Sequence, residues 1–380
     1  MSLPKKIFIS SSITLIIVLI LWGIYTLSFK KIPEQVVAIK NPVATPAIIP
    51  QQNTNQIEQL TDEAILSPTI SPDGESIKYY SKTNGKAYTL NIFSKDKQIL
   101  SDTNLIGLSS IAWSPDKTKV LSKFATATDQ PKFSFYDYTQ NKGAQLPNNI
   151  GSVVWQNNDK IFYNYFDTKT QKGTLDMANA DGSGWQKITD LPGKDIFIAP
   201  IPKTGLVSFW NRPDAFTETL MQSAPVLGGE KKDISKGKFG ADYLWSPDGN
   251  SLLISSVDTK GGSKLQLSIT NSLGGEYKNL NIPTLISKCV WSKTNKFVYY
   301  ALPGSIPDGA VMPNDYFASG KFNTNDTFWK VDITTGEKSR LVDLDKMTGA
   351  FDAANLFLSS DEDFLFFVNR IDGKLYKITL

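Results

Sequence analysis

The side chains of this 380-residue chain that could do chemistry are carboxylates and very little else. Histidine is absent and cysteine occurs once, at Cys289. That removes Ser-His-Asp and Cys-His catalysis, His-ligated zinc and imidazole switching together. A single cysteine closes no internal disulfide and builds no thiolate cluster, so Cys289 reads as a buried core thiol. No Gly-x-Ser-x-Gly elbow is present either. The densest acidic group, Asp343, Asp345 and Asp352 with Asp361, Glu362 and Asp363, lacks the spacing of a calcium loop and reads as exposed loop acids. Asp73, Asp116 and Asp248 recur in Ser-Pro-Asp phrases, where a carboxylate bonds nearby backbone amides and forms the turn. No catalytic residue, metal ligand or cofactor is therefore assigned. Carboxylate pairs suited to glycan cleavage are not excluded by composition, and none is singled out by it.

The elements that carry these residues follow from a repeat. One phrase returns along the chain, as Ile111-Ala-Trp113-Ser-Pro-Asp116, Tyr243-Leu-Trp245-Ser-Pro-Asp248 and Cys289-Val-Trp291-Ser292, with an early copy at Ser71-Pro-Asp-Gly74. Weaker copies stand at Trp155, Ile201 and Leu358. Anchored one position after the aromatic, the seven copies fall at Ser71, Ser114, Gln156, Pro202, Ser246, Ser292 and Ser359, with gaps of 43, 42, 46, 44, 46 and 67. Each copy runs into a Pro/Asp/Asn/Gly turn and an apolar strand such as Lys119–Phe124, then a third strand, a Gly-containing turn and a short fourth. Four short strands per repeat of this length is the pattern of a β-propeller blade. The fold class expected is an all-β, seven-bladed β-propeller of four-stranded antiparallel blades. Six or eight blades follow if a weak copy, above all the one at Pro202, is misread. Trp113, Trp155, Trp245 and Trp291 read as inter-blade packing rather than a stacking platform for sugars or bases. The chain ends on a third strand, Lys374–Ile378, one strand short. Gln56–Thr61 looks like the missing fourth and is expected to close the ring.

The aromatic-Ser-Pro-Asp-Gly turns, with Asn179-Ala-Asp181-Gly-Ser-Gly-Trp185-Gln-Lys-Ile188-Thr189, resemble the TolB-like branch of propeller repeats. The resemblance covers residues 56–380. It implies the fold more than any activity, since such blades occur in envelope proteins and as accessory domains of peptidases. The fourth copy lacks the aromatic-Ser-Pro-Asp and the third has Gln-Asn-Asn instead. An N-terminal anchor would also depart from the usually soluble, periplasmic members, so that family's partners are not carried over.

From Ile7 to Phe29 run 23 uncharged residues, about 34 Å as a helix, against a hydrocarbon core of about 30 Å. The stretch exceeds a signal h-region and meets Lys30-Lys31 rather than a small-residue cleavage site. The expected organisation is a short cytoplasmic end (1–6), a transmembrane helix (7–29), a Pro/Gln/Asn-rich linker (30–55) and the propeller domain (56–380). The lysine counts beside the span are nearly tied, and the single-pass, extracytoplasmic orientation rests on the signal-anchor pattern. Five of the 40 basic and one of the 37 acidic residues lie in residues 1–55, which leaves 35 and 36 in the remainder. A neutral domain without a basic stripe does not attract nucleic acid.

The 67-residue gap marks an insertion, residues 303–326, between the second and third strands of the sixth unit. It shares a rim with residues 211–216 and 125–131, opposite the Ser-Pro-Asp-Gly turns. Val311, Met312, Tyr316 and Phe317, with Arg212 and Phe216, are the expected partner-binding residues. The other reading of the insertion is a plug in the propeller mouth. The expected function is a membrane-anchored, non-enzymatic binding or scaffolding module of the cell envelope that takes a protein partner or a surface glycan. The alternative is a carboxylate-dependent hydrolase or lyase acting on surface polysaccharide.

Overall fold

In the computed structural model of the chain the described residues are 57–127, 130–318 and 320–380. The expected cytoplasmic end, membrane span and linker lie outside them. Among the described residues no helix is long and apolar enough to cross a membrane.

Antiparallel strands build six hydrogen-bonded sheets, five of four strands and one of seven. In chain order they cover residues 65–101, 108–145, 150–191, 196–279, 289–340 and 353–379. The last sheet takes its fourth strand from the other end of the chain: Ile57–Gln59 pairs with Leu375–Thr379, Ile57 opposite Ile378 and Gln59 opposite Tyr376. This is the pairing expected of residues 56–61, and the Thr61 hydroxyl adds a bond from the Leu375 amide at 3.0 Å.

The repeated phrase makes the same turn each time. Ser114 Oγ accepts the Lys119 amide at 2.9 Å and donates to Asp116 Oδ1 at 2.6 Å, while Asp116 Oδ1 accepts the Thr118 amide. Ser246 and Asp248 repeat this with Ser251 and Asn250. Ser292 and Ser359 keep the hydroxyl half of the pattern. The aspartates are thus turn formers, as their spacing implied.

Packing explains the aromatics. Trp113, Trp155, Trp245 and Trp291 are all buried. Three of the indole N–H groups reach the sheet before their own: Trp113 to Ser67 O, Trp155 to Ala112 O and Trp291 to Leu244 O. Trp245 donates instead to Ser208 Oγ, which passes the bond on to Ala199 O. A buried indole keeps its donor satisfied while the ring fills the seam. The apolar clusters also straddle successive sheets. One joins Trp291 and Val298 to Leu253 and Leu267, and another joins Ile65, Ile77 and Leu90 to Phe366 and Val368 across the first and last sheets. The core is therefore a series of seams between sheets.

The seven-stranded sheet contains two repeat units fused by one 14-residue strand, Lys232–Trp245. Its first half pairs with Glu218–Pro225 and its second with Ser251–Val257, the changeover falling at Phe239. Gly237 and Gly240, at φ +73° and +60°, flank that changeover and supply left-handed backbone that other residues adopt only at a cost.

Candidate functional site

The rim opposite the Ser-Pro-Asp-Gly turns opens into a cavity of about 960 Å³. Its walls come from the leading ends of several first strands and from the connections between second and third strands, so distant segments converge there. Asn164, buried in the 150–191 sheet, sets one side. Its Oδ1 accepts the amides of Gly151 and Ser152 at 2.8 and 2.5 Å, and its Nδ2 donates to Lys194 O at 2.6 Å. Ser152 Oγ donates to Ile196 O and the Arg212 amide to Asp195 O, which draws the next sheet onto the same edge.

Three cations line this space, Lys123, Lys194 and Arg212, and among the described residues none has a carboxylate within 4.0 Å. Asp195 and Asp242 face them, and Phe166, Phe197 and Phe317 supply apolar faces. Asp242 Oδ1 accepts Trp210 Nε1 at 3.1 Å and the Tyr243 amide at 3.0 Å. Burial of its carboxyl in the cavity wall outweighs those bonds and pushes its pKa up to about 6. The wall thus offers fixed positive charge, ring faces and one acid that changes state near neutrality.

The insertion is a strap seated on the propeller. Its neck closes where Gly304 and Ser305 amides both donate to Thr324 O. The Met312 amide then reaches Gly262 O, and Asn314 at the start of a one-turn helix, α1 (Asn314–Phe317), accepts the Ala215 amide and donates to Asp214 Oδ1, both at 2.8 Å. At Gly240 a Cβ would lie 2.6 Å from Pro313 Cδ, so the strap occupies the room that glycine leaves. The far end is held by charge. Lys288 Nζ lies 2.5 Å from Asp326 Oδ2 and 2.7 Å from Asp352 Oδ1, and all three side chains are fully buried. Tyr316 Oη donates to Asp352 Oδ1 at 2.8 Å, and Arg370 reaches both Asp352 Oδ2 and Tyr316 O. Burial alone would raise Asp352, but Lys288, Tyr316 and Arg370 outweigh it and hold that carboxyl below the usual range. Burial wins at Asp326, whose pKa is raised.

These contacts divide the expected partner-binding residues. Arg212 and Phe317 line the cavity. Phe216 is half exposed, its ring against Gly261, and Val311 is half-buried. Met312 and Tyr316 are a correction: at 0% and 1% exposure they pack with Val257, Leu265 and Leu285, so their apolar surface is covered by the propeller itself rather than left for a partner. Asp352, grouped above with loop acids, is likewise interior. The sequence reading missed Lys123, Lys194 and Asp242. One signal was available for the last. The position three before the aromatic is Ser110 and Ser152 in two copies but Asp242 and Lys288 in two others, and a charge breaking a serine pattern at or just before an inner strand marks a changed environment.

No family model matches the chain, and no curated protein matches it. Solved structures do. An oligogalacturonate lyase in complex with manganese is 14% identical with a TM-score of 0.60, over 85% of this chain and 93% of that one. The oligogalacturonate lyase of Vibrio parahaemolyticus gives 11% and 0.60 over 87% and 94%. The β-propeller domain of the Trilobed protease from Pyrococcus furiosus gives 13% and 0.54 over 83% and 92%. At such identities the likeness is one of fold alone, and with the strand order and seams above it makes this chain a β-propeller.

Proposed function

We propose that the chain is a membrane-anchored, extracytoplasmic binding module, a seven-bladed propeller closed by its N-terminal strand, and that the rim cavity holds an acidic surface glycan. The seven-blade count takes the fused sheet as two blades sharing Lys232–Trp245. The observation that carries the ligand class is the convergence of Lys123, Lys194 and Arg212, without a carboxylate within 4.0 Å among the described residues, beside three phenylalanine faces. Unpaired cations on a cavity wall gain by meeting carboxylates, and sugar rings present apolar faces to aromatic ones. Two structures similar in fold are named for oligogalacturonate, an acidic oligosaccharide. The test is calorimetric titration of the full chain in lipid nanodiscs with uronate oligosaccharides and neutral ones of equal length. Binding of the acidic series alone is expected, with a loss of about tenfold or more on Lys194→Ala with Arg212→Ala, and equal binding of both series would refute the reading.

Asp242 favours a second reading, the lyase. A carboxyl near its own pKa at neutrality, opposite cations that neutralise a uronate, can take a proton from the carbon beside the sugar carboxylate. Ultraviolet absorbance from an unsaturated product, abolished in Asp242→Asn, would select it over simple binding.

A further inference from the structure

The interior cluster under the strap has a hydrogen-bond account that does not close. Lys288 Nζ donates to Asp326 Oδ2, Asp352 Oδ1 and Ala353 O. Asp326 Oδ2 also accepts the Ala353 amide at 2.7 Å. Asp326 Oδ1, however, is buried and has no partner. A buried carboxyl with one orphaned oxygen is among the costlier arrangements a fold can hold. The amine that neutralises it is equally buried, lies 5.0 Å from the centre of the Tyr316 ring, and has a second carboxylate at 2.7 Å. A fixed amine against a carboxyl, buried from solvent and beside a group able to carry protons, is the arrangement of reactants for condensation.

We propose that the folded chain joins Lys288 to Asp326 through an intramolecular amide bond, with Asp352 as the proton carrier. The atoms balance without a co-reactant. Asp352 takes one proton from the ammonium and delivers it to Asp326, and the freed amine attacks the Asp326 carboxyl carbon. A C–N bond forms and a C–O bond breaks. A second proton from the nitrogen passes through Asp352 to the departing oxygen, which leaves as water, and the third stays as the amide N–H. Asp352 ends as the carboxylate it began as, and nothing is oxidised or reduced.

The product settles the account left open above. One carbonyl oxygen remains where two carboxylate oxygens stood, matching the single Ala353 amide that donates there, and the new N–H points its donor at Asp352 Oδ1. Two buried charges disappear. Burial raises Asp326 toward the neutral, electrophilic form, while Lys288, Tyr316 and Arg370 keep Asp352 ionised; the same acids hold Lys288 as the ammonium, so its proton must pass through Asp352 before the amine can attack. The bond would tie the residue before Cys289–Trp291, the first strand of its sheet, to the last residue of the strap, enclosing the strap in a covalent ring.

The experiment is the intact mass of the full-length chain in denaturant, with fragment spectra of its proteolytic digest. The expected mass is one water below that of the sequence, with the peptides containing Lys288 and Asp326 joined. Lys288→Arg restores the full mass, and a water loss that survives this substitution overturns the proposal by placing the dehydration elsewhere. Asp326→Asn loses ammonia in place of water and reaches the same final mass as the bonded wild type. Asp352→Asn leaves most of the chain unjoined; complete joining in that variant overturns its role as proton carrier. Wild-type chain at the full sequence mass, with the two peptides separate, overturns the bond itself, and this reading does not depend on any variant folding.

Discussion

Asp242 shows how a single side chain ties the fold to the cavity. Its carboxyl sits at about 6 when folded, against about 3.9 in an unfolded chain, so the folded state favours the protonated form. Below both values the two states are protonated alike and nothing is lost. As pH rises from about 4 through 6 the folded chain holds a proton that the unfolded chain has released, and stability falls, by up to roughly 3 kcal/mol above pH 7. Asp242→Asn keeps an oxygen for the Trp210 and Tyr243 donors and removes the titration. Urea unfolding is expected to show the variant more stable than wild type near pH 7.5 and level with it near pH 4; parallel curves at both values would contradict the assignment. Other single residues were readable without coordinates. Ser-Pro-Asp turns, buried tryptophans and the inert Cys289 follow from local chemistry repeated at a fixed period. In the structure burial raises the Cys289 thiol well above its ordinary range. Lys123 and Lys194 were not readable, because an unpaired lysine has no local signature; it is the absence of a carboxylate from distant segments that sets it apart.

At the scale of elements, strands and hairpins were legible for the same periodic reason, and the insertion was legible as a length. Its seating was not. Asn314 meets Asp214 and Ala215 across about a hundred positions of sequence, and the strap's buried face depends on a glycine in another unit. Two glycines of similar backbone separate the contributions of φ and of space. Gly336→Ala, at φ +79° with nothing within 4 Å of its new methyl, is expected to cost about 1 kcal/mol. Gly240→Ala, at φ +60°, must also push Pro313 away and is expected to cost roughly 2–3 kcal/mol, with new proteolytic cleavage inside residues 303–326. Equal losses in chemical unfolding, with the strap still protected, would show that Pro313 does not rest there.

At the scale of the molecule, the decisive contacts join the first and last strands of the propeller. Ile57–Gln59 gives Leu375–Thr379 a hydrogen-bonded neighbour, and Glu58 lies between Lys95 and Lys377 at 2.6 and 3.0 Å. Deleting residues 57–61 from the full chain uncovers that strand and strips Thr61 from Leu375. We expect a lower melting temperature and concentration-dependent association on size exclusion, since a bare edge invites pairing. A monomer of unchanged melting temperature would mean the strand is dispensable. This pairing was legible because an orphan strand and an incomplete last unit stood at opposite ends of the repeat array. The fusion of two units through Lys232–Trp245 was not, because the periodicity marks where each first strand ends and says nothing of whether the preceding strand stops before it.

That shared strand makes the propeller mechanically uneven. Most neighbouring sheets meet through side chains and occasional indole-to-carbonyl bonds, whereas the two halves of the 196–279 sheet are held by continuous main chain. Asp242 and Arg212 stand on this fused sheet and Lys123 on a separate one. Under the proposed binding function, a guest larger than the cavity is expected to displace the Lys123 side before the Asp242 wall.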